Sequence, residues 1–361
     1  MKKKLIVAAI AAAMVAPMAA MADATVYGKV RVATQYADRD GVYFFEDDDD
    51  LIGERIGNDA WGMEDQVSRL GIKGSEDLGN GLKAIYQMEF GVNVGDGLGK
   101  SGDFWSQRNS YVGLAGGWGT FLMGRHDTPY KISSGKLDFF ADTAADYDNG
   151  CDVAITCLYN PNGAGQLFNS LRVDGAIAYI SPSFSGFTLA GAVVQSDTQG
   201  DFEDADDFAS AWSVAAMFNQ GPWFASLAYE QLMADSLGIY GPLADDDSKW
   251  RLGLGILGWS GFSLSGIYED RSNAYFIDGA DRTSWQIQAA YDFGNNRVKG
   301  MYGNRDDDGV LFERLDFDTW AIGFQHNLSK RTDVQVLYRQ LNGDDDVPDD
   351  NVFAVQLDHA F

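Results

Sequence analysis

Thiols and imidazoles are scarce in this chain. Two cysteines and three histidines among 361 residues are too few and too scattered for a zinc centre, which gathers nitrogen and sulfur ligands at close spacing. The same scarcity weighs against an enzyme. His126, His326 and His359 are the only histidines, and none stands in a Ser–His–acid arrangement that would give a nucleophile its base. Basic residues are outnumbered, 27 against 53 acidic, for a formal net charge of −26. A surface that acidic repels nucleic acid and excludes that class of partner. Prolines number only 7, while aromatics make up 13% and glycines reach 42, which is not the composition of a disordered chain. After Ala22 no apolar run reaches the ~18 residues of a spanning helix. If the chain enters a membrane, it must do so as a closed barrel.

What is present begins with an export signal. Met1-Lys2-Lys3-Lys4 precedes an apolar run from Leu5 to about Ala20, and Ala20-Met21-Ala22 has the small residues of a cleavage site. Residues 1–22 are therefore expected to be a signal peptide and 23–361 the mature barrel. Cleavage removes Lys2, Lys3 and Lys4 and leaves the product more acidic still. Cys151 and Cys157 then face an oxidising compartment, where their short spacing suits a small disulfide loop.

From Ala24 to Phe361 one unit repeats: about ten residues of apolar–polar alternation, then a turn. Val26, Val30 and Val32 share one face of the first strand, opposite Tyr27, Lys29, Arg31 and Gln35. Trp285, Ile287, Ala289 and Tyr291 alternate with Gln286, Gln288, Ala290 and Asp292, and Phe353, Val355, Leu357, His359 and Phe361 form one face of the last strand. Seven tight turns, among them Leu78-Gly79-Asn80-Gly81 and Phe293-Gly294-Asn295-Asn296, alternate with eight longer polar connections. Together they join sixteen strands, with short turns on one side and long loops on the other. A soluble β-sandwich also alternates, but its solvent face would carry many charges. Here the polar face is rich in Gly, Ser, Gln and Arg, as a wet lumen would be. The fold class is all-β: a sixteen-stranded antiparallel transmembrane β-barrel with long extracellular loops.

Several segments resemble the trimeric general-diffusion porins of Gram-negative bacteria. Tyr27-Gly28-Lys29, Ser68-Arg69-Leu70-Gly71-Ile72-Lys73-Gly74, Arg108-Asn109-Ser110-Tyr111-Val112-Gly113-Leu114 and Gly124-Arg125 are similar to that family's early strands. Ser181-Pro182-Ser183-Phe184-Ser185-Gly186-Phe187, Leu328-Ser329-Lys330-Arg331-Thr332 and the terminal His359-Ala360-Phe361 follow in the family's order. The resemblance implies a homotrimer in the outer membrane, in contact with its lipid and lipopolysaccharide and passing small hydrophilic solutes and ions. It also makes Phe361 part of the signal read by the barrel-assembly machinery, and it implies no cofactor.

The longest connection runs from about Asp127 to Leu171, and a loop of that length is usually functional. By resemblance it is the third loop, folded back to constrict the pore, with Asp138 and Asp142 of Asp138-Phe139-Phe140-Ala141-Asp142 at its acidic tip. The opposing basic wall would be Lys29, Arg69, Arg108 and Arg172. Alternation independently places Lys29, Arg69 and Arg172 on the polar face but is ambiguous for Arg108, whose parity is that of Val112 and Leu114. Such a constriction holds a transverse field that favours polar solutes, and it acts within a Debye length of about 8 Å at physiological salt.

Acidic runs at Glu46 to Asp50, Glu203 to Asp207, Asp245 to Asp247, Asp306 to Asp308 and Asp344 to Asp350 all read as loop. Solvation, divalent-cation bridging to lipid head groups and salt adaptation each account for them. The acidic tip and mouth together lead us to expect weak cation preference. The alternatives are a channel specialised for a sugar or an anion and, more remotely, an outer-membrane hydrolase.

Overall fold

In the computed structural model the described residues are 24–47, 50–95, 104–148, 167–195, 208–237, 244–308, 316–343 and 349–361, with 39–59 and 236 described by backbone alone. The expected signal segment, Cys151 and Cys157 lie outside them. The strands are β1 (Thr25–Asp47), β2 (Asp50–Asp65), β3 (Arg69–Gly79), β4 (Leu82–Val92), β5 (Trp105–Gly116) and β6 (Gly119–Asp127). After the long connection come β7 (Arg172–Ile180), β8 (Phe187–Val194), β9 (Ala211–Gln220), β10 (Trp223–Leu232), β11 (Asp247–Trp259) and β12 (Phe262–Ser272). The last five are β13 (Asp281–Phe293), β14 (Asn296–Asp308), β15 (Phe317–Asn327), β16 (Thr332–Gly343) and β17 (Asp350–Ala360).

Apart from β2 and β3, each strand pairs antiparallel with its neighbours in sequence, and β1 pairs with β17 to close the sheet. The segments β2 and β3 are one crossing. Both lie against β1, with Val32 opposite Asp65 and Lys29 opposite Arg69, so one extra residue interrupts a continuous register. The barrel therefore has the sixteen crossings expected. At the closing seam, the Phe361 N–H donates to the Gly28 carbonyl at 3.0 Å and the Gly28 N–H donates to the Phe361 carbonyl at 3.2 Å. The Phe361 ring covers this point so closely that a Cβ on Gly28 would come within 2.4 Å of its Cζ. Only glycine admits the terminal ring there.

Alternation sorts the two faces. Ile287, in the middle of β13, is 53% exposed while its neighbour Gln288 is fully buried in the interior. On the outer face the aromatics form a belt through successive cross-strand partners. Tyr229 lies opposite Trp250, Tyr268 opposite Trp285, Tyr302 opposite Trp320, Tyr338 opposite Phe353, Phe353 opposite Tyr36 and Tyr36 opposite Trp61. Diagonal ring contacts such as Trp285–Tyr302 at 5.6 Å and Trp320–Tyr338 at 5.4 Å link the pairs. Tyr291 and Phe293 mark the other end of β13. The strand runs roughly 27 Å from Trp285 to Phe293, which once tilted suits the apolar band of an outer-membrane barrel.

One expectation needs correction. The acidic residues at Asp306–Asp308 and Asp247 are not loop, since they end β14 and begin β11. Likewise Glu46 and Asp47 end β1, Asp50 begins β2 and Asp350 begins β17. Hairpin pairing continues beyond the apolar band into polar sequence, so acidity alone does not mark where a strand stops.

Three consecutive parts of the wall carry β-bulges. The extra residue between β2 and β3 comes with Val67 at φ 60°. A second shift lies between Met88 and Phe90 on β4, opposite residues 107–110 of β5, and a third falls between Gly124 and His126 on β6, opposite 173–176 of β7. Bulges re-aim side chains. The one in β5 lets Arg108 point inward although Val112 and Leu114 face outward.

We expect Ile287→Arg to cost about 2–4 kcal/mol of folding stability in lipid, as a charge placed near the bilayer midplane. Gln286→Ser, on the lumen face beside it, should change little. Denaturant titration in lipid vesicles measures both, and equal losses would mean that the faces are misassigned.

Candidate functional site: a loop folded into the lumen

The segment after β6 turns inward instead of out into solvent. Thr128 caps a short helix, Pro129–Ser134, by accepting the Lys131 N–H at 3.3 Å, and Pro129 suits the first helical turn. From there the described part of the loop is fastened along the far wall. The Tyr130 N–H donates to Ser213 of β9 at 3.0 Å, and its hydroxyl donates to Glu269 of β12 at 2.6 Å. Arg251 of β11 donates to the Ser134 and Ser170 hydroxyls at 2.7 and 3.0 Å, joining the loop's two ends. Ser265 holds the Leu137 carbonyl at 2.7 Å, and Lys249 holds that of Asn169 at 2.7 Å. Lys299 of β14 donates to the Phe139 carbonyl at 2.7 Å and to Gln335 at 3.0 Å. Gln356 of β17 reaches the Asp142 carbonyl at 3.2 Å.

Apolar packing follows the same path. Phe140 is completely buried against Ala33, Met301, Ala321, Leu337 and Ala354, which are lumen-facing residues that would otherwise meet water. Leu137 lies on Gly253 and Gly255, where a Cβ would approach it to 2.5 and 2.7 Å. Leu167, Phe168 and Tyr147 pack against Phe224, Ile267, Phe317 and Leu341. This inner patch is apolar because the loop covers it.

The named charges separate into local groups. Asp142, at φ 56°, forms ion pairs with Arg31 and with Arg69, the latter at 3.3 Å. Arg31 also lies 2.9 Å from Asp358, and Lys29 is 3.7 Å from the same carboxylate. Arg108 donates to Glu89 at 2.7 Å, and Glu89 also accepts the Tyr27 hydroxyl at 2.8 Å. Arg172 pairs with Asp127 at 2.9 Å and donates to Asn109 at 2.8 Å. Lys29, Arg31, Arg69 and Asp142 are thus brought together, while Arg108 and Arg172 have their own partners further round the wall. Asp138 is turned toward the wall, where Gln288 donates to it at 3.0 Å and it accepts the Phe140 N–H at 2.8 Å. Residue-by-residue matching passed over Arg31, Glu89, Asp358 and Lys299. Of these, only Arg31 carried a visible signal, its place two residues after Lys29 on the polar face.

Carboxyl groups in the loop are perturbed by burial. Burial pushes Asp138 up to about 6 against the hydrogen bonds from Gln288, Phe140 and Asp146. Asp146 is raised well above the ordinary range by burial and by the neighbouring Asp138 and Asp142. Its two oxygens accept the Asp142 and Asp148 N–H groups at 2.6 and 2.8 Å. A proton between Asp138 and Asp146 relieves the repulsion of two buried carboxylates.

An antiparallel barrel of sixteen crossings, apolar outside and charged inside, with a loop bolted across its lumen, is a transmembrane channel. A family model described as Gram-negative porin matches residues 8–346, and the chain belongs to that family. It is an outer-membrane protein and a channel, not an enzyme. Outer membrane porin protein 32 of Delftia acidovorans is 29% identical over 341 residues, covering 92% of this chain and 87% of that protein. The major outer membrane protein P.IB of Neisseria meningitidis serogroup B is 26% identical over 348 residues, covering 93% and 92%. Among solved structures, the anion-selective porin from Comamonas acidovorans superposes with a TM-score of 0.72 at 22% identity, covering 94% of this chain and 99% of that one.

Because the docked loop raises the Asp138 carboxyl, protonation stabilises docking. That contribution is complete below about pH 4 and is lost as pH rises through about 6. Open-channel current noise should therefore increase between these limits in the native protein. In Asp138→Asn, which keeps the acceptor for Phe140 and Gln288 and gives Asp146 a permanent donor, the noise should be flat. An unchanged pH response in the variant would refute the shared proton.

Proposed function

We propose that this porin is a homotrimeric, water-filled channel for passive diffusion of small hydrophilic solutes and ions, narrowed where the loop tip meets β1 and β3. The observation that carries the reading is Asp142 in contact with Arg31 and Arg69, which puts the loop tip at the basic wall. Lys29 and Arg108 extend that wall, with Arg172 at its far end and Asp138 holding the tip in place from behind. The exposed ring of Phe361, at the end of the last strand, suits recognition by the barrel-assembly machinery.

Selectivity follows from where the charges stand. At the tip three cations, Lys29, Arg31 and Arg69, meet two carboxylates, Asp142 and Asp358. The narrow point is thus biased toward anions, although the chain as a whole is strongly acidic. The acidity belongs to the mouth, which concentrates cations at a distance. On this reading the weak cation preference is expected only where the mouth's field reaches the pore, at low salt. A relative bearing the description anion-selective agrees with the tip. A sugar-specific channel is less well supported, because Phe140 and Tyr147 are buried against the wall instead of lining a path.

Purified protein in planar bilayers should give conductance steps in groups of three. The reversal potential should favour cations near 0.01 M salt, where the Debye length is about 30 Å, and shift toward anions near 1 M, where it is about 3 Å. Asp142→Asn should move it further toward anions, and Arg31→Gln toward cations. A reversal potential independent of salt would reject the division between mouth and tip, and absence of conductance would reject the channel.

A further inference from the structure

Beyond the loop tip, toward the long-loop end of β11–β14, the inner wall carries five cations: Lys249, Arg251, Arg271, Arg282 and Arg305. Each is at least nine-tenths buried, and Arg282 is 3% exposed. Four have a carboxylate of their own. Lys249 pairs with Glu230 at 3.1 Å, Arg251 with Glu269 at 2.6 Å, Arg271 with Asp247 through its Nε at 2.8 Å, and Arg305 with Asp307 at 2.5 Å. Among the described residues Arg282 has no such partner. It sits directly across the sheet from Arg271 on one side and Asp307 on the other. Its Nη1 donates to the Tyr275 hydroxyl at 3.4 Å, while its Nε and Nη2 are buried without a hydrogen-bond partner among the described residues.

Those two nitrogens share one edge of the guanidinium. That edge is the fork that binds the two oxygens of a carboxylate side by side. A buried cation without a counter-ion is costly, so the wall is one negative charge short at this point. The covering residue is also held deliberately. Asn273, Tyr275 and Phe276 all have positive φ, 54°, 61° and 65°, a strained backbone for residues with side chains. The strain lays the Tyr275 ring over Arg271 and Arg282, at 4.8 and 5.8 Å, with its N–H on Asp247 at 3.0 Å.

We infer that Arg282, flanked by Arg271 and Arg305 and capped by Tyr275, is a binding site for the carboxylate of a small organic acid in the vestibule, separate from the narrow point. This does not depend on where ions cross the channel. Burial would raise the Tyr275 phenol, but Arg282, Arg305 and Arg271 outweigh it and Asp307 and bring it down to about 8. The other charges facing the site are Asp247 and Lys249 on β11 and Glu269 on β12. Above that pH the phenolate supplies the missing charge and competes with the ligand.

Titration calorimetry of the folded protein in detergent, with sodium formate as the probe and sodium chloride as the reference at equal ionic strength, tests the site. Saturable formate binding is expected, weakened tenfold or more in Arg282→Gln. Arg282→Lys keeps the charge, so the fold, but loses the edge and should weaken binding similarly. Affinity should fall between about pH 7 and about pH 9 in the native protein and stay level in Tyr275→Phe. Absence of saturable binding, unchanged affinity in both Arg282 variants, or equal affinity for chloride would overturn the proposal.

Discussion

The structure rests on one constraint: inside hydrocarbon every backbone N–H and C=O must find its partner within the protein. A sheet satisfies this only when it has no edge. The pairing of β1 with β17 removes the edge, and the Phe361–Gly28 contacts secure the end of that seam. Closure then forces the division of faces. Residues of one parity meet lipid and are apolar, and those of the other parity surround a space too wide for side chains to fill. The third loop folds into that space.

The loop makes the two halves of the wall physically unlike. From β9 to β17 the described interior, apart from Arg282 and uncharged polar residues such as Gln286 and Gln288, is apolar or closely ion-paired, because the loop packs on it and desolvates it. Lys249, Arg251, Arg271 and Arg305 tolerate burial there because each has a carboxylate beside it. From β1 to β7 the wall lacks that support and carries the three bulges around the basic residues, whereas the shift between Ile256 and Trp259 on the other side lies beside a turn. Those three bulges turn Arg108 inward and set the register around Arg31, whose backbone bonds to Ser68 in the first bulge at 2.8 Å. Rigidity on one side and re-aimed charge on the other are complementary means of fixing a narrow opening.

The barrel was legible because period two is a local signal repeated sixteen times, and turns such as Asn80-Gly81 punctuate it. Lys29 and Arg69 were legible for the same reason. Arg108 was not, since a bulge reverses parity and leaves no mark in composition. The docking surface was also hidden. Met301, Leu337 and Ala354 lie on the lumen face, where alternation expects polar residues, and they make sense only once Phe140 is seen against them. Asp138 and Asp142 look alike four residues apart, yet one is turned to Gln288 and the other to Arg31 and Arg69. The strand-borne acids Asp247 and Asp307 read as loop because acidity was taken to end a strand. Their true signal was a nearby arginine, Arg271 on the neighbouring strand for Asp247 and Arg305 two residues back on the same strand for Asp307.

The path of the loop also constrains how the molecule is made. Its anchors are spread over strands that follow it in the chain, up to Gln356, which is 214 residues beyond Asp142. Contacts so distant in sequence form late, and a closed cylinder offers no side entrance. The loop's full set of anchors therefore exists only once β9 to β17 have gathered round it, so docking of the loop and closure of the cylinder are coupled and the aperture is complete only when both are.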